Sequence, residues 1–592
     1  MSLFTKLLEL KETQLISDVE IEFARTLKRV DPTISDSTLL AAVICSYYQL
    51  SGNVCVYLER LEKDARIQDL LELLPSGKLD ISSLKEDLRK SKLVGNPGEF
   101  KPLILEENRL YIQKYWKFEN ELVQWINERA SRSATELSSE ARDFIENQFE
   151  PLEDGETDWQ KVAVCLSMIK DFLIISGGPG TGKTFTVSKI IECLQKFNTT
   201  GTRIALAAPT GKAAQRLTDT LSVSTELELT AQTLHRLLGA RIDGTFVYGK
   251  NKKLPYDIVI VDEASMLDLR LWIQLVRSLG EQTKLIVLGD KDQLSSVEAG
   301  AVLGDICDGA KNEFTTSLSE VLVNNAMQFN QHVAETSTLN DCIVLLTKSY
   351  RFGEDSGLKL LSEAINTSDV EGALRILKDE NIKDVIWIEP NAQTVSEVIE
   401  KYCVATYEKS TGLSSVERFD AYREAQILCA IKRGPFGVEH VNHETEERIK
   451  EKAGLPRNRE WFEGRFILFT RNDRSLKVQN GETGIYFSDD KETAKILVEG
   501  NVDRQISAGR VQDFQPAYAI TVHKSQGSEY KNVVLILPNE QNAILSKEFL
   551  YTGVTRARRN ALIVATEEIL EFTIRQKISR NSGLAEKLWI KK

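Results

Sequence analysis

The sequence predicts an α/β protein with two parallel-sheet units, a helical N-terminal domain before them and a small β-rich insertion in the second unit. Two observations predict it. From about residue 158, short β-branched runs alternate with helical segments: "FLIIS", "RIALAAP", "DIVIVDEAS", "KLIVLGD", then "ILCAIK", "VVLILP" and "ALIVAT". Strands buried on both faces read this way, and each run ends in a loop rich in Gly, Asp or Thr. Between Trp461 and Gln515 the texture changes, and "RFILFTRND", "GETGIYF" and "ETAKILVEG" read as short antiparallel strands.

At 592 residues the chain is too long for a single core. The strand runs fall into two groups that divide near residue 345. The expected organisation is a helical domain over 1–125, a linker helix over 126–157, and a first parallel-sheet unit over 158–345 with a small insertion at about 218–256. A second parallel-sheet unit follows over 346–592, with the β-rich insertion at about 455–515.

The N-terminal domain carries helical patterning, as in "DSTLLAAVICSYYQLSG", where Ser35 or Asp36 can cap a stripe of Leu39, Leu40, Val43 and Tyr47. No chemistry announces itself there. The polar stretch "NERASRSATELSSEARDFIENQ" reads as a linker running into a helix.

Net charge is −12, from 75 basic and 87 acidic residues, so any nucleic-acid site is a local cleft and not the whole surface. No run approaches a transmembrane helix, and "MSLFTKLLELKETQ" lacks the apolar core of a signal peptide; a cytoplasmic protein with no membrane partner is expected. The eight cysteines include no CxxC pair, which argues for reduced thiols and against a zinc or iron–sulfur site. His440 and His443 form an HxxH that reads as a helix surface.

The first functional signal is "GGPGTGKT". Gly177, Gly178, Pro179, Gly180, Thr181 and Gly182 follow a strand, and Lys183 and Thr184 open a helix, which is the context a phosphate-binding loop requires. Glycines let backbone N–H groups turn onto phosphates, and the helix N-terminus adds its dipole. Lys183 suits the β- and γ-phosphates of ATP, and Thr184 suits Mg²⁺. "DIVIVDEASML" supplies the second half: Asp262 at a strand end can hold the Mg²⁺ shell, and Glu263 can act as base or orienter for the attacking water. "LIVLGDKDQLSSVEAG" offers Asp290 and Gln293 at another strand end. Arg351 in "LTKSYRFG" and Arg556 in "LYTGVTRAR" are candidates for transition-state charge, which places ATP between the two units.

The ordered series "DWQKVAV", "GGPGTGKT", "APTGKAAQRL", "TLHRLLG", "VDEAS", "GDKDQL", "KSYRF", "AITVHKSQGSEY" and "YTGVTRAR" resembles the superfamily 1 DNA helicases, in the 5′→3′ branch of the RecD type. "GDKDQLSSVEAGAVLGDI", "SYRFGEDSGLKLL", "RGPFGVEHVN" and "GNVCVYL" resemble the RecD subunits of exodeoxyribonuclease V more narrowly. The resemblance implies two RecA-like motor domains and an SH3-like insertion. It implies that Gln160 reads adenine, that Gly527 and Glu529 lie near ribose and phosphates, and that single-stranded DNA meets Pro209, Thr210, Thr233, His235, Thr521 and His523. Small hydroxyls and backbone N–H groups grip phosphates without reading bases, and histidine can stack or hydrogen-bond. "RNDRSLK" in the insertion is either a further DNA-facing loop or a solvated charge run.

As partners the resemblance implies single-stranded DNA and duplex ends, together with RecB-like and RecC-like subunits in a heterotrimer whose nuclease centre lies in another chain. Movement towards the 3′ end and a place in double-strand break repair are likewise implied by resemblance alone. A free-standing 5′→3′ helicase and a P-loop switch without unwinding are the alternatives. Residues 1–125 show no Gly-hairpin repeat of the sort that free-standing relatives carry, and no histidine precedes His235.

Overall fold

Helix signals set the start of the chain. Ser17 and Glu20 form a reciprocal capping box ahead of the helix Asp18–Val30, and Ser35 rather than Asp36 caps the helix Asp36–Leu50. Leu39, Leu40 and Val43 are buried as the stripe requires. These helices pack with a small sheet that the sequence reading does not anticipate, made of β1 (Val56–Tyr57), β2 (Val94–Gly95), β3 (Leu103–Glu106) and β4 (Arg109–Ile112) in the order β1-β4-β3-β2. The long helix Gln113–Ala130 crosses the expected boundary at residue 125. The computed structural model describes residues 2–73, 80–150, 156–197, 201–224, 229–324, 337–353, 355–391, 393–488, 493–500, 504–578 and 580–589. Parts of the expected linker and of both insertions fall on 151–155, 225–228, 489–492 and 501–503, outside the described residues.

The first parallel sheet comprises β5 (Phe172–Gly177), β6 (Ile204–Ala208), β7 (Gln232–Thr233), β8 (Ile258–Val261), β9 (Lys284–Gly289) and β10 (Ile343–Leu346), in the order β10-β5-β9-β8-β6-β7. Its central strands are buried on both faces, which is why "FLII" and "IVIV" show no alternation. The second parallel sheet holds β11 (Val385–Ile388) and β12 (Ala425–Cys429) together with three later strands. The chain first detours through an antiparallel sheet of β13 (Phe466–Phe469), β14 (Thr483–Ser488), β15 (Ala494–Val498), β16 (Gln505–Ser507) and β17 (Phe514–Pro516). It then completes the second sheet with β18 (Ala519–Thr521), β19 (Tyr530–Ile536) and β20 (Ala557–Val564), ordered β11-β20-β19-β12-β18. The inserted sheet has its own core around Ile467, Phe469 and Ile496, with Trp461 packed 4.8 Å from Phe514 between ring centroids.

The expected division keeps residues 346–592 together, whereas residues 580–589 return to the N-terminal half. The helix Leu584–Trp589 packs against the helices Gln113–Ala130 and Val302–Cys307. Buried polar groups on that side need partners, and this strap supplies them. Asn581 donates its backbone N–H to Asn53 Oδ1 (2.8 Å) and accepts from Val54 N (2.7 Å). The fully buried Glu119 accepts from Gly583 N (2.9 Å) and pairs with Lys587 (2.9 Å). Arg580 Nη1 donates to the Glu298 carbonyl (2.5 Å).

All eight cysteines are buried and unpaired. Among the described residues no helix is long and apolar enough to cross a membrane, and no cluster of His, Cys, Asp and Glu could hold a metal ion.

Candidate nucleotide and nucleic-acid site

β5 ends in the glycine loop, and its geometry explains the glycines. Gly180 and Gly182 have φ of +77° and +80°, in the left-handed region. A Cβ on Gly182 would overlap the Gln160 side chain, and one on Gly180 would overlap Arg351 Cβ. Gln160, buried at the start of the helix Trp159–Ile169, donates to the Thr181 carbonyl at 2.8 Å. Lys183 Nζ is held inside the loop by the carbonyls of Gly177 (2.5 Å) and Gly178 (3.1 Å).

The loop opens onto a cleft of about 300 Å³ whose lining includes Pro179, Lys183, Thr184, Glu263, Gln293, Arg351, Glu529 and Arg556. Residues from the ends of β5, β8 and β9, from the connection after β10 and from both sides of β19 therefore meet in one place. Gln160 lines a neighbouring cavity of about 320 Å³, which shares Tyr350 with the cleft. Gly527, at φ +74°, lines a larger adjoining cavity of about 740 Å³ between the two units.

Asp262 sits at the end of β8, and Oδ1 accepts from Glu263 N at 2.8 Å. Burial, reinforced by the Glu263 carboxylate, pushes the Asp262 carboxyl up to about 6, against the pull of Lys183 and Arg216. A half-buried carboxylate in that condition is one that a bound cation would stabilise. Glu263 itself has φ of +54°, a costly backbone conformation for a glutamate. Asp290, buried at the end of β9, accepts from Gln293 Nε2 (2.9 Å) and from the Tyr551 hydroxyl (3.1 Å). Gln293 Oε1 is buried without a protein partner.

Arg351 reaches the cleft because the chain leaves the first sheet beside the glycine loop. β10 lies next to β5, and Tyr350 N donates to the Gly180 carbonyl at 2.8 Å. Arg556 is buried, with Nε on the Thr552 carbonyl (3.1 Å) and Nη1 on the Ser528 carbonyl (3.2 Å). Glu529 accepts from Arg216 and Arg351 at 2.6 Å each and from Arg558 at 3.0 Å. Burial alone would raise its carboxyl, but Arg216 and Arg351 hold it well below the usual range.

The six DNA candidates lie just beyond the C-terminal ends of β6, β7 and β18, or within their last residue. Three of them share a second job. Thr210 accepts from Ala213 N (3.2 Å), Thr233 from Arg236 N (3.2 Å) and Thr521 from Lys524 N (3.4 Å), so each caps the helical turn that follows. Pro209 is half-buried and His235 is exposed, its ring centroid 6.1 Å from Phe246. Burial, with Arg580 and Lys432 nearby, keeps His523 below its ordinary value and so neutral at physiological pH. The insertion comes close here: a Cβ on Gly211 would overlap the Gln479 side chain, and Lys212 pairs with Glu499 at 3.2 Å. In the "RNDRSLK" loop, Arg471 is 77% exposed, and Asp473 organises the turn by accepting from Ser475 N at 2.7 Å.

The chain is 30% identical to the RecBCD enzyme subunit RecD of Haemophilus influenzae over 98% of both chains. It belongs to the RecD family of RecBCD enzyme subunits. The RecD subunit of Mycolicibacterium smegmatis is also 30% identical, over 97% of this chain and 98% of that one. Family models match in three places: the RecD N-terminal domain at residues 12–111, an AAA domain at 160–299 and a UvrD-like helicase C-terminal domain at 516–564. The ATP-dependent RecD2 DNA helicase of Deinococcus radiodurans is 26% identical over 70% of this chain and 50% of that one. The Pif1 helicase structure from Candida albicans aligns at 15% identity over 72% of this chain and 98% of that chain, with a TM-score of 0.36.

This RecD-family chain is thus an α/β nucleotide-binding protein of the superfamily 1 helicase type. Sequence reasoning missed Arg216 in its cleft and three groups behind it. Arg216 sits inside "APTGKAAQRL", where an arginine on an amphipathic helix carries no signal of its own. Tyr551, Thr552 and Gln526 lie inside quoted motifs, yet only the fold shows that they bond the loop after β9. Thr552 Oγ1 accepts from Leu294 N (2.9 Å), and Gln526 Nε2 donates to the Leu294 carbonyl (2.8 Å).

Proposed function

We propose that this chain is an ATP-dependent 5′→3′ DNA translocase and helicase, working as the motor subunit of a helicase–nuclease complex in double-strand break repair. RecB-like and RecC-like chains are its partners, and the nuclease centre lies in one of them. The observation that carries the motor reading is the single cleft lined by Lys183, Glu263 and Gln293 from the first sheet unit and by Glu529 and Arg556 from the second. Full-length similarity to RecD subunits supports the assembly, and the name of the D. radiodurans relative supports ATP-dependent unwinding. The 5′→3′ direction rests on the motif resemblance.

Within the cleft, Lys183 neutralises the β- and γ-phosphates and Gln160 meets the adenine edge. Thr184 and Asp262 fit a Mg²⁺ ion: one hydroxyl and one carboxylate whose charged form burial and the neighbouring Glu263 disfavour. When bound, the ion would withdraw charge from the phosphates. Glu263 accepts the proton of the attacking water, Gln293 Oε1 orients that water, and Arg351 and Arg556 take up charge as the terminal phosphate leaves ADP. The bonds from Tyr551, Thr552 and Gln526 to the loop Asp290–Leu294 carry the change to the second unit. Closure then moves Thr521 and His523 relative to Thr210 and Thr233, and alternating grip advances the strand.

Lys183→Gln is expected to abolish ATP hydrolysis stimulated by single-stranded DNA, with the melting temperature kept. Steady-state turnover of the purified variant decides it. Normal hydrolysis by a folded Lys183→Gln protein would overturn the site.

A further inference from the structure

Two guanidinium groups rarely crowd onto one oxygen atom, and Glu529 Oε1 holds two. Arg216 and Arg351 each approach it to 2.6 Å, while Arg558 occupies Oε2 at 3.0 Å. Three positive charges around one carboxylate leave an excess that a single carboxylate cannot neutralise. Arg351 Nη1 is buried with no protein partner. The excess points inward. Arg216 and Arg351 line the same cleft as Lys183, Asp262 and Glu263.

Arg216 stands in the second turn of the helix Gly211–Ser224, which begins directly after β6. Its side chain is 37% exposed, so its position is not dictated by packing. What holds it at the cleft is Glu529, from the other sheet unit. A guanidinium so placed matches a phosphate oxygen as well as it matches a carboxylate.

We propose that Arg216 is a further phosphate ligand of the nucleotide site, and that Glu529 occupies Arg216 and Arg351 until the terminal phosphate of a nucleoside triphosphate takes them over. This rests on the nucleotide reading of the cleft given above. A triphosphate brings more charge to the arginines than Glu529 does, whereas a diphosphate does not extend to them. Arg216 therefore discriminates triphosphate from diphosphate and reports the difference to the helix that starts beside Thr210. No bond is made or broken by Arg216; it exchanges one anionic partner for another.

The test uses the full chain in its native assembly and compares Arg216→Ala, Arg216→Lys and Lys183→Ala. Binding of ADP, ADP with aluminium fluoride, and ATPγS is measured alongside DNA-stimulated turnover. Arg216→Ala is expected to bind ADP as the parent does, to lose most of its preference for the aluminium fluoride complex, and to lower kcat roughly 10²-fold with little change in KM. Arg216→Lys should recover part of kcat. An Arg216→Ala protein that keeps both the triphosphate preference and kcat overturns the inference, provided Lys183→Ala has lost nucleotide binding. If Lys183→Ala binds every nucleotide normally, it is the nucleotide reading itself that fails. Weakened ADP binding in Arg216→Ala would also overturn the inference, because the role would then be general and not specific to the terminal phosphate.

Discussion

Asp305, on the helix Val302–Cys307, has a carboxylate with little to stabilise its charge. Its Oδ2 is buried without a partner. Burial pushes the group up to about 7, with Ser582 opposing and the charge of Glu119 adding. Its ordinary value is 3.8. Between the two values the folded protein keeps a proton that the unfolded chain has lost, so this group's contribution to stability falls as pH rises through that window. Asp305→Asn should therefore stabilise the protein by up to about 4 kcal/mol at about pH 8 and change little at about pH 4. Thermal melts across that range decide it: wild type and variant profiles that run parallel would remove Asp305 as the cause. Residues of this kind are illegible in sequence, because an isolated Asp in "VLGDIC" gives no sign of what will cover it. Lys183, Asp262 and Glu263 were legible for the opposite reason. Their chemistry needs fixed spacing from a strand end, and that spacing survives in the string of letters. Arg216 falls between these cases, since it lies within a motif but acquires its partner from a segment more than three hundred residues away.

At the scale of elements, the threonines at the ends of β6, β7 and β18 act as caps whatever else they touch. That double duty can be separated. Asp caps a helix at least as well as Thr, so Thr521→Asp should leave stability within about 0.5 kcal/mol. It also puts a negative charge where DNA phosphates are expected, so binding of single-stranded DNA should weaken, most at low salt. Titration of a labelled oligonucleotide at two salt concentrations measures this, and undiminished binding at low salt would remove β18 from the DNA path. Strand length governs what the sequence reveals at this scale. β5, β8, β9, β19 and β20 run four to eight residues through a core and declare themselves by unbroken apolar runs. β1, β2 and β7 have two residues each and β18 three, too few for any periodicity to show. The N-terminal sheet therefore reads as helical territory in the sequence, although β3 and β4 pair over four positions.

For the whole molecule, the decisive feature is the strap of residues 580–589, which ties the helix Leu584–Trp589 to Asn53, Glu119 and the helix Gln113–Ala130. It also touches the loop after β9 through Arg580 and Glu298, and so lies between the N-terminal region and the motor. Ending the chain after Ile578 should leave both parallel sheets formed but loosen the N-terminal region. Hydrogen exchange should then quicken in residues 53–57 and 109–122, and heating should resolve a separate early transition. Unaltered protection in those segments would show that the strap is ornamental. The two sheet units were visible in the sequence because each repeats one local pattern. The strap was not, because nothing in "RNSGLAEKLW" indicates that its partners lie at the far end of the chain.

The strap also fixes an order of events during synthesis. Asn53 meets Asn581 across 528 residues of chain. At a ribosome's pace of about 5–20 residues per second, the N-terminal region waits between about 25 and about 100 s for the segment that seals it. Until then Asn53 and Glu119 stand without the backbone groups that satisfy them. A nascent chain of this protein can complete its first motor sheet while its N-terminal region is still open. Residues 580–589, translated long after the segment they seal, act as the latch, so a chain broken off before them keeps the region around Asn53 and Glu119 open.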